Sequence, residues 1–521
     1  MMTTRLLSLS LLSLLMISTA PAHAAVDPAG ADAVRMLVAN YLDNQKNAIN
    51  ADGDMTMVTK GDITVKAAGD YYATTLPHIS IQYDDGSVFE IGTITANIAP
   101  GDAPNLWKMT WALPQPMTMI GANKKPEARV TFDDQSLSGV WHSDINTFVQ
   151  LNAQYKNIVA TVYDEKNAPD VTVALPEARF GINLKQGANG NWSGPSHYTA
   201  HNITVESPQE PGFVKIGKID AIGEITDFSP AMAKDFEDKI SAMSESMADG
   251  AVPSAGHVQG MYDLVLSYVG NICDSMATKF SIHDFQVNAP AKGEKPAQKF
   301  GIQTISAGFG MKGFRSNDVS LNMELDYDGF TAEPKLDQSE TVPTESRIDI
   351  TIKKIPYNEL VELGRSTLKS SMDSGAGAQL AGLQAMMLIP QLLTNAGTTV
   401  NIKDTNFGND LYGLTMNGDV VANMQSVLSA TGKARIEVAG MDKLIAEVKK
   451  QSETAADPAV KQQMAEVLAG LTMLQMVGQQ QPGTDAQGRA VRTYDIELTK
   501  EGQMLMNGTD MTTLPGLMKQ P

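Results

Sequence analysis

The chain has one cysteine in 521 residues, Cys273, which excludes a disulfide framework and any cysteine-based zinc site. Aromatic residues make up only 6%, and beyond the first two dozen positions there is no long apolar run, so a polytopic membrane protein is excluded. A basic excess is lacking too. Forty Lys and Arg against 59 Asp and Glu give a formal net charge of −19, the wrong sign for a protein that must neutralise nucleic-acid phosphates. No Gly-x-Ser-x-Gly elbow, His-Glu-x-x-His pair or Walker motif occurs, so an exported hydrolase has no candidate residues in the linear sequence. What is present is a 42% hydrophobic chain, apolar enough to bury cores and long enough for about two to four folding units.

Residues 1–24 read as an export signal. Arg5 supplies the positive start, Leu6 to Ile17 is apolar apart from two serines, and Ala22-His23-Ala24 is a small-x-small cleavage site with Ala22 and Ala24 at the small positions. A dozen apolar residues fall short of the roughly 20 that span a bilayer. The expected location is the bacterial periplasm, with the signal removed and no integral span in the mature chain.

Residues 25–54 carry an amphipathic helix, with Val34, Leu37, Val38, Tyr41 and Leu42 on one stripe. Residues 55–217 read as a β-rich domain of alternating segments divided by Gly, Asn, Asp and Pro clusters. One hairpin is explicit: Ile79–Tyr83, a turn at Asp84-Asp85-Gly86, then Val88–Ile98. Phe89-Glu-Ile-Gly-Thr-Ile-Thr-Ala96 recurs as Phe300-Gly-Ile-Gln-Thr-Ile-Ser-Ala307, matching at five of eight positions, and Phe213, Ile216, Ile219 and Ala221 form a looser copy.

A second repeat starts at Arg347-Ile-Asp-Ile350 and again at Arg435-Ile-Glu-Val438, 88 residues on, and closes at Asn417-Gly418 and Asn507-Gly508, 90 apart. The order strand, helix, helix, strand also begins at Lys218. Three such units are expected, the first with its hairpins over 218–340 and the other two over 341–521. Ser229-Pro230 and Asp457-Pro458 mark helix starts, and Pro390 should end or kink a helix. The expected fold is α+β: long repeated antiparallel β-hairpins form an extended twisted sheet, with helical hairpins inserted between strands in the C-terminal half. The helices should cover one sheet face, because an apolar face must be buried against something.

Gly308-Phe-Gly-Met-Lys-Gly313 matches a dinucleotide-binding string, but the segment from Phe314 to Tyr327 alternates as a strand where that motif needs a helix. His197 and His201 have the spacing of a helical metal pair. In strand-like sequence they stand about 13 Å apart, beyond one metal. No cofactor and no metal site is expected. Cys273 reads as a small buried hydrophobe at a helix. The 29 methionines fill irregular apolar space, in a helix–sheet core or in a surface that accepts variable apolar ligands.

Two segments resemble the YdgA-like bacterial periplasmic proteins and, more distantly, AsmA-type envelope proteins. Ile436–Leu444 is similar to their strand-to-helix junction. Tyr494–Leu498, then Glu501-Gly502, then Met504–Gly508 resembles their closing hairpin. The resemblance spans about residues 200–515 and implies a β-rich envelope protein with a lipid-related or assembly-related role; it supplies no catalytic residues. The expected function is a non-enzymatic structural or protein-interaction scaffold of the envelope, with an envelope protein or lipid as partner. The alternative is a carrier for a lipid or other apolar ligand in a β-sheet trough.

Overall fold

The structure is a computed structural model that describes residues 26–50, 54–103, 105–145, 147–209, 212–246, 255–291, 293, 296–335, 340–373, 375–455 and 457–511. Ala22 and Ala24, the expected cleavage positions, lie outside these residues, as do all of residues 1–25. The fold is α+β and dominated by antiparallel strands. It divides into two compact units, Met1–Glu224 with Gln286–Lys295, and Ile225–Phe285 with Pro296–Pro521.

In the first unit the long strands pair antiparallel with partners close in the chain, and shorter strands sit side by side between them. Tyr71–Tyr83 pairs with Met55–Lys60 and Thr64–Ala68 on one side and with Val88–Pro100 on the other. Val88–Pro100 then meets two shorter strands, Leu106–Ala112 and Met117–Ile120, and these meet Asp134–His142 and Pro126–Thr131. Both of the latter pair with Thr147–Tyr163, followed by Pro169–Asn183 and Trp192–Glu206. The turn at Asp84–Ser87 closes as the sequence predicts, with the Gly86 amide donating to the Tyr83 carbonyl.

Parity along these strands decides their curvature. Tyr72, Thr74 and Leu76 are even-numbered and Ile79, Ile81 and Tyr83 odd, so a regular strand would send the two sets to opposite faces. Register shifts after Thr75 and Ile79 reset the count, helped by Gly92 at φ 99° on the partner strand. All the apolar members of both sets then reach one core.

Helix α1 (Pro28–Asn50) seals that core. Asp27 caps it, its carboxylate accepting from the Gly30 amide at 2.7 Å, and Pro28 opens the first turn, where a missing N–H costs nothing. Val34, Leu37, Val38 and Leu42 are buried against Tyr72, Ile98, Trp107 and Trp141, with Tyr41 packed at the margin. Burial raises the Tyr41 phenol far above its ordinary value.

The second unit is also a sequential antiparallel sheet: Gln298–Lys312, Val319–Asp328, Glu345–Ile355, Thr399–Gly408, Gly413–Ala422, Ala430–Ala439, Ala490–Leu498 and Met504–Met506. Three helix pairs interrupt the chain order: α2 (Pro230–Ser246) with α3 (Ala255–Ile272), α4 (Tyr357–Asp373) with α5 (Gly375–Ala396), and α6 (Met441–Thr454) with α7 (Pro458–Val477). Pro390 does not end α5, which runs six residues past it to Ala396. Asp457 caps α7, accepting from the Ala459 amide at 2.8 Å. Gly440 makes the strand-to-helix turn into α6 at φ 76°, where an added Cβ would lie 2.2 Å from the Leu411 carbonyl oxygen. No helix among the described residues is long and apolar enough to cross a membrane.

The two units differ in how far they are closed. In the second, the buried core is small: Val438, Met441 and Tyr494 are surrounded by half-buried neighbours from α6, α7 and the sheet, and α7 buries no residue fully. Truncating the sealing helix of the first unit should therefore be costly. Leu37→Ala is expected to destabilise that unit by about 2–4 kcal/mol, while Met36→Ala, 63% exposed one position away, should change stability by less than about 0.5 kcal/mol. Urea unfolding followed by tryptophan fluorescence measures both, since Trp107, Trp111 and Trp141 report on this core.

Candidate functional site

Strand register in the second unit fixes which side chains share a face. On one face the cross-strand partners are polar. Lys279 pairs with Glu324 at 3.2 Å, Asn322 donates to Asp349 and Thr351, Asn401 donates to Asp419, and Lys433 pairs with Glu497 at 3.3 Å. Arg435 lies between Glu437 and Asp495. The exposed pairs among these, such as Lys433 with Glu497, contribute little stability each, whereas Asp349 is buried.

The other face carries two rows that are apolar across all eight strands. One row of directly opposed residues reads Phe309, Met323, Ile350, Ile402, Gly418, Ala434, Ile496 and Met506. The next reads Met311, Leu321, Ile352, Val400, Val420, Gly432, Leu498 and Met504. Neither contains a polar side chain. Seven strand spacings make each row about 34 Å long, against about 15 Å for the acyl chains of one bilayer leaflet. Gly418 and Ala434 form a shallow notch midway, where an added Cβ on Gly418 would lie 2.7 Å from that of Ala434.

This face is not filled. Phe309, Met323, Leu325, Phe407 and Met504 are 38–44% exposed. Helices α6 and α7 pack against one end of it, on Leu414, Ile436, Val438 and Tyr494, where the Tyr494 hydroxyl donates to the Leu474 carbonyl at 2.9 Å. Full burial of such a side chain is worth about 1.5–3 kcal/mol, so leaving several half-exposed forgoes a large stabilisation. Phe309, Met323 and Leu325, on adjacent strands, form an exposed apolar patch at one edge of this face, the kind of surface that marks an interaction or ligand site.

A smaller cavity of about 610 Å³ lies among α2, α3 and α4, over Ala242, Met243 and Leu264. Its cations are already engaged: Lys239 with Asp235 at 2.8 Å and Tyr268 at 2.6 Å, and Arg365 with Asp263 at 2.6 Å and with Glu362. The hydrogen bond from Lys239, with a second from Tyr268, holds the Asp235 carboxyl below its usual range.

The residues singled out from sequence are scattered. The Gly308–Gly313 string runs along a strand, Gly308 opposite Glu324 and Gly310 opposite Asn322, with only Gly313 in a turn. His197 and His201 sit in the strand Trp192–Glu206 opposite Gly181 and Glu177. His78 meets Glu90 at 2.6 Å and His283 approaches Thr304 at 3.4 Å. Cys273 is buried one residue past the end of α3, and that burial pushes its thiol up. No group of three or more His, Cys, Asp or Glu positioned to hold a metal occurs among the described residues.

His142, one more strand histidine by its sequence, is the exception. It is 6% exposed and stacks edge-on against Trp192. The Asn105 amide donates to both its Nε2 and the Asp144 carboxylate, each at 2.9 Å, so the neutral ring carries its proton on Nδ1, which has no hydrogen-bond partner. Burial lowers its pKa, only partly opposed by Asp144.

No family model and no curated protein sequence matches the chain.

The His142 environment yields a pH dependence of defined sign. A histidine harder to protonate when folded binds more protons unfolded, so its contribution is complete above its unfolded value of about 6.5 and is lost as pH falls below it. The melting temperature should therefore drop between pH 7.5 and 5.5, and His142→Gln should reduce that drop. An equal drop in the variant would show that other groups govern it.

Proposed function

We propose that the protein is a non-enzymatic carrier that holds the acyl part of a lipid, or another extended apolar ligand, along the open sheet face of its second unit, outside the cytoplasm. The carrying observation is the pair of cross-strand rows, eight strands wide, with no polar side chain and incomplete helix cover. An enzyme needs converging polar groups; these rows offer dispersion contact and exclusion of water, which suits a ligand whose every methylene contributes about 0.8 kcal/mol on burial. The leader ending in Ala22-His23-Ala24 and the resemblance to lipid-related envelope proteins support the same reading. We also infer that the last two strand–helix–helix–strand segments arose by duplication, supported by the offsets of 88 and 90 residues between their matching starts and ends.

The interaction-scaffold reading has its own support in the exposed methionines of the helices, Met386, Met387 and Met476. The two readings separate in one experiment. A carrier purified from its host releases lipid on organic extraction, detected by mass spectrometry, and binds a fluorescent fatty acid. Phe309→Ser and Leu325→Ser are each expected to weaken that binding roughly tenfold, the loss of one buried apolar side chain, with little loss of fold because both are already over 40% exposed. A lipid-free protein that ignores the probe would leave the scaffold.

A further inference from the structure

At one strand end of the second unit the loop between Gly413–Ala422 and Ala430–Ala439 is built, not loose. The Asn423 amide donates to the Ser429 carbonyl, the Ser429 amide to the Ser426 carbonyl and the Ser426 amide to the Asn423 carbonyl. The Ser426 hydroxyl is buried and donates to the Thr499 carbonyl at 3.2 Å, and the Val427 amide donates to the Lys500 carbonyl. Gly502, at φ 79°, passes beneath Val427, where a Cβ would come within 2.7 Å. These bonds hold three apolar side chains outward: Val427 is 76% exposed, Leu428 55% and Met424 47%. An ordered loop that presents valine and leucine to solvent runs against ordinary burial, in which such side chains are withdrawn.

The surroundings point to the occupant. The Met424 amide donates to the Thr394 hydroxyl, which ties the loop to the last turns of α5, and α5 exposes Leu383, Met386 and Met387 at i, i+3 and i+4. Lys353 and Lys354 end a neighbouring strand at the same sheet end, the Lys354 carbonyl accepting from Thr398, and Lys500 lies under the loop. None of these three lysines is engaged in an ion pair among the described residues, whereas Lys433 nearby is paired with Glu497; Glu501 is the acid beside Lys500. In a chain of net charge −19, unpaired lysines beside projecting apolar tips match a surface with anionic headgroups over hydrocarbon.

We propose that the Asn423–Ser429 loop, with the exposed stripe of α5 and Lys353, Lys354 and Lys500, seats this end of the second unit on an anionic lipid bilayer. The contact is interfacial: Val427, Leu428 and Met424 enter the headgroup–acyl boundary while the lysines stay at headgroup level. It does not require the carrier reading, although the rows of Met311 and Met504 run beside this same end.

The test is co-flotation of the full chain, and of a chain beginning at Val26 so that the apolar leader cannot account for binding, with phosphatidylglycerol-containing or pure phosphatidylcholine vesicles. Both chains should float with the anionic vesicles, and raised salt should weaken the association. The double variant Val427→Ser/Leu428→Ser is expected to bind about tenfold more weakly or worse. Charge removal, Lys353→Gln/Lys354→Gln/Lys500→Gln, should cost about fivefold per lysine on anionic vesicles and nothing on neutral ones. Unchanged melting temperatures and fatty-acid binding in these variants keep a docking failure distinct from a failure of the carrier reading. Absence of vesicle binding by the parent chain, or binding indifferent to both sets of substitutions, would overturn the proposal. So would a serine pair that abolishes self-association in light scattering and spares flotation, because the loop would then be a protein contact.

Discussion

The period-two geometry of the β-strand is the constraint on which everything else rests. Each strand in both units pairs with strands near it in sequence, so a single rule decides the fate of every side chain: its parity within its strand. Where parity drifts, a register shift corrects it, as after Thr75 and Ile79 in the first unit and between Ile402 and Thr405 in the second. The result is one face of opposed charges and amides and another of opposed methyls and rings. Neither face depends on any single residue; both depend on the count being kept.

The units then treat the apolar face differently. In the first, α1 lays Val34, Leu37 and Val38 onto it and closes a core with three tryptophans in or against it. In the second, the inserted helices pack on one another and on the sheet margins, and most of the face stays at intermediate exposure. A protein selected only for stability would close both, because exposed aromatic surface forgoes burial energy and invites association. The asymmetry is what separates a closed folding core from an open apolar face here.

Much of the fold was legible. The stripe in α1, the Asp84–Gly86 turn, the Asp457-Pro458 helix start and the alternation of the long strands are local patterns, and local patterns are what a sequence displays directly. The open apolar face was not legible, for a physical reason: Phe309, Met323, Ile350 and Ile402 come from four separate strands, and only their register makes them a row. The signal was present as alternate apolar positions at 321, 323 and 325 and at 348, 350 and 352, but alternation shows that a strand has a dry side without showing whether anything covers it. The helices misled for the same reason, since a stripe such as Met261, Leu264, Val265 and Tyr268 promises burial, whereas Met261 and Val265 remain outside. His142 was unreadable because its partners, Asn105 and Trp192, lie 37 and 50 residues away.

Pairing each strand with partners no more than three strands away in the chain has a consequence for how such a chain is made. Contacts that close over short sequence distances form without waiting for distant segments, and the entropic cost of each added hairpin is small. A polypeptide threaded amino-end first through a pore could add strands in the order in which they emerge, each arriving segment templated by the edge already laid down, so that assembly would keep pace with delivery.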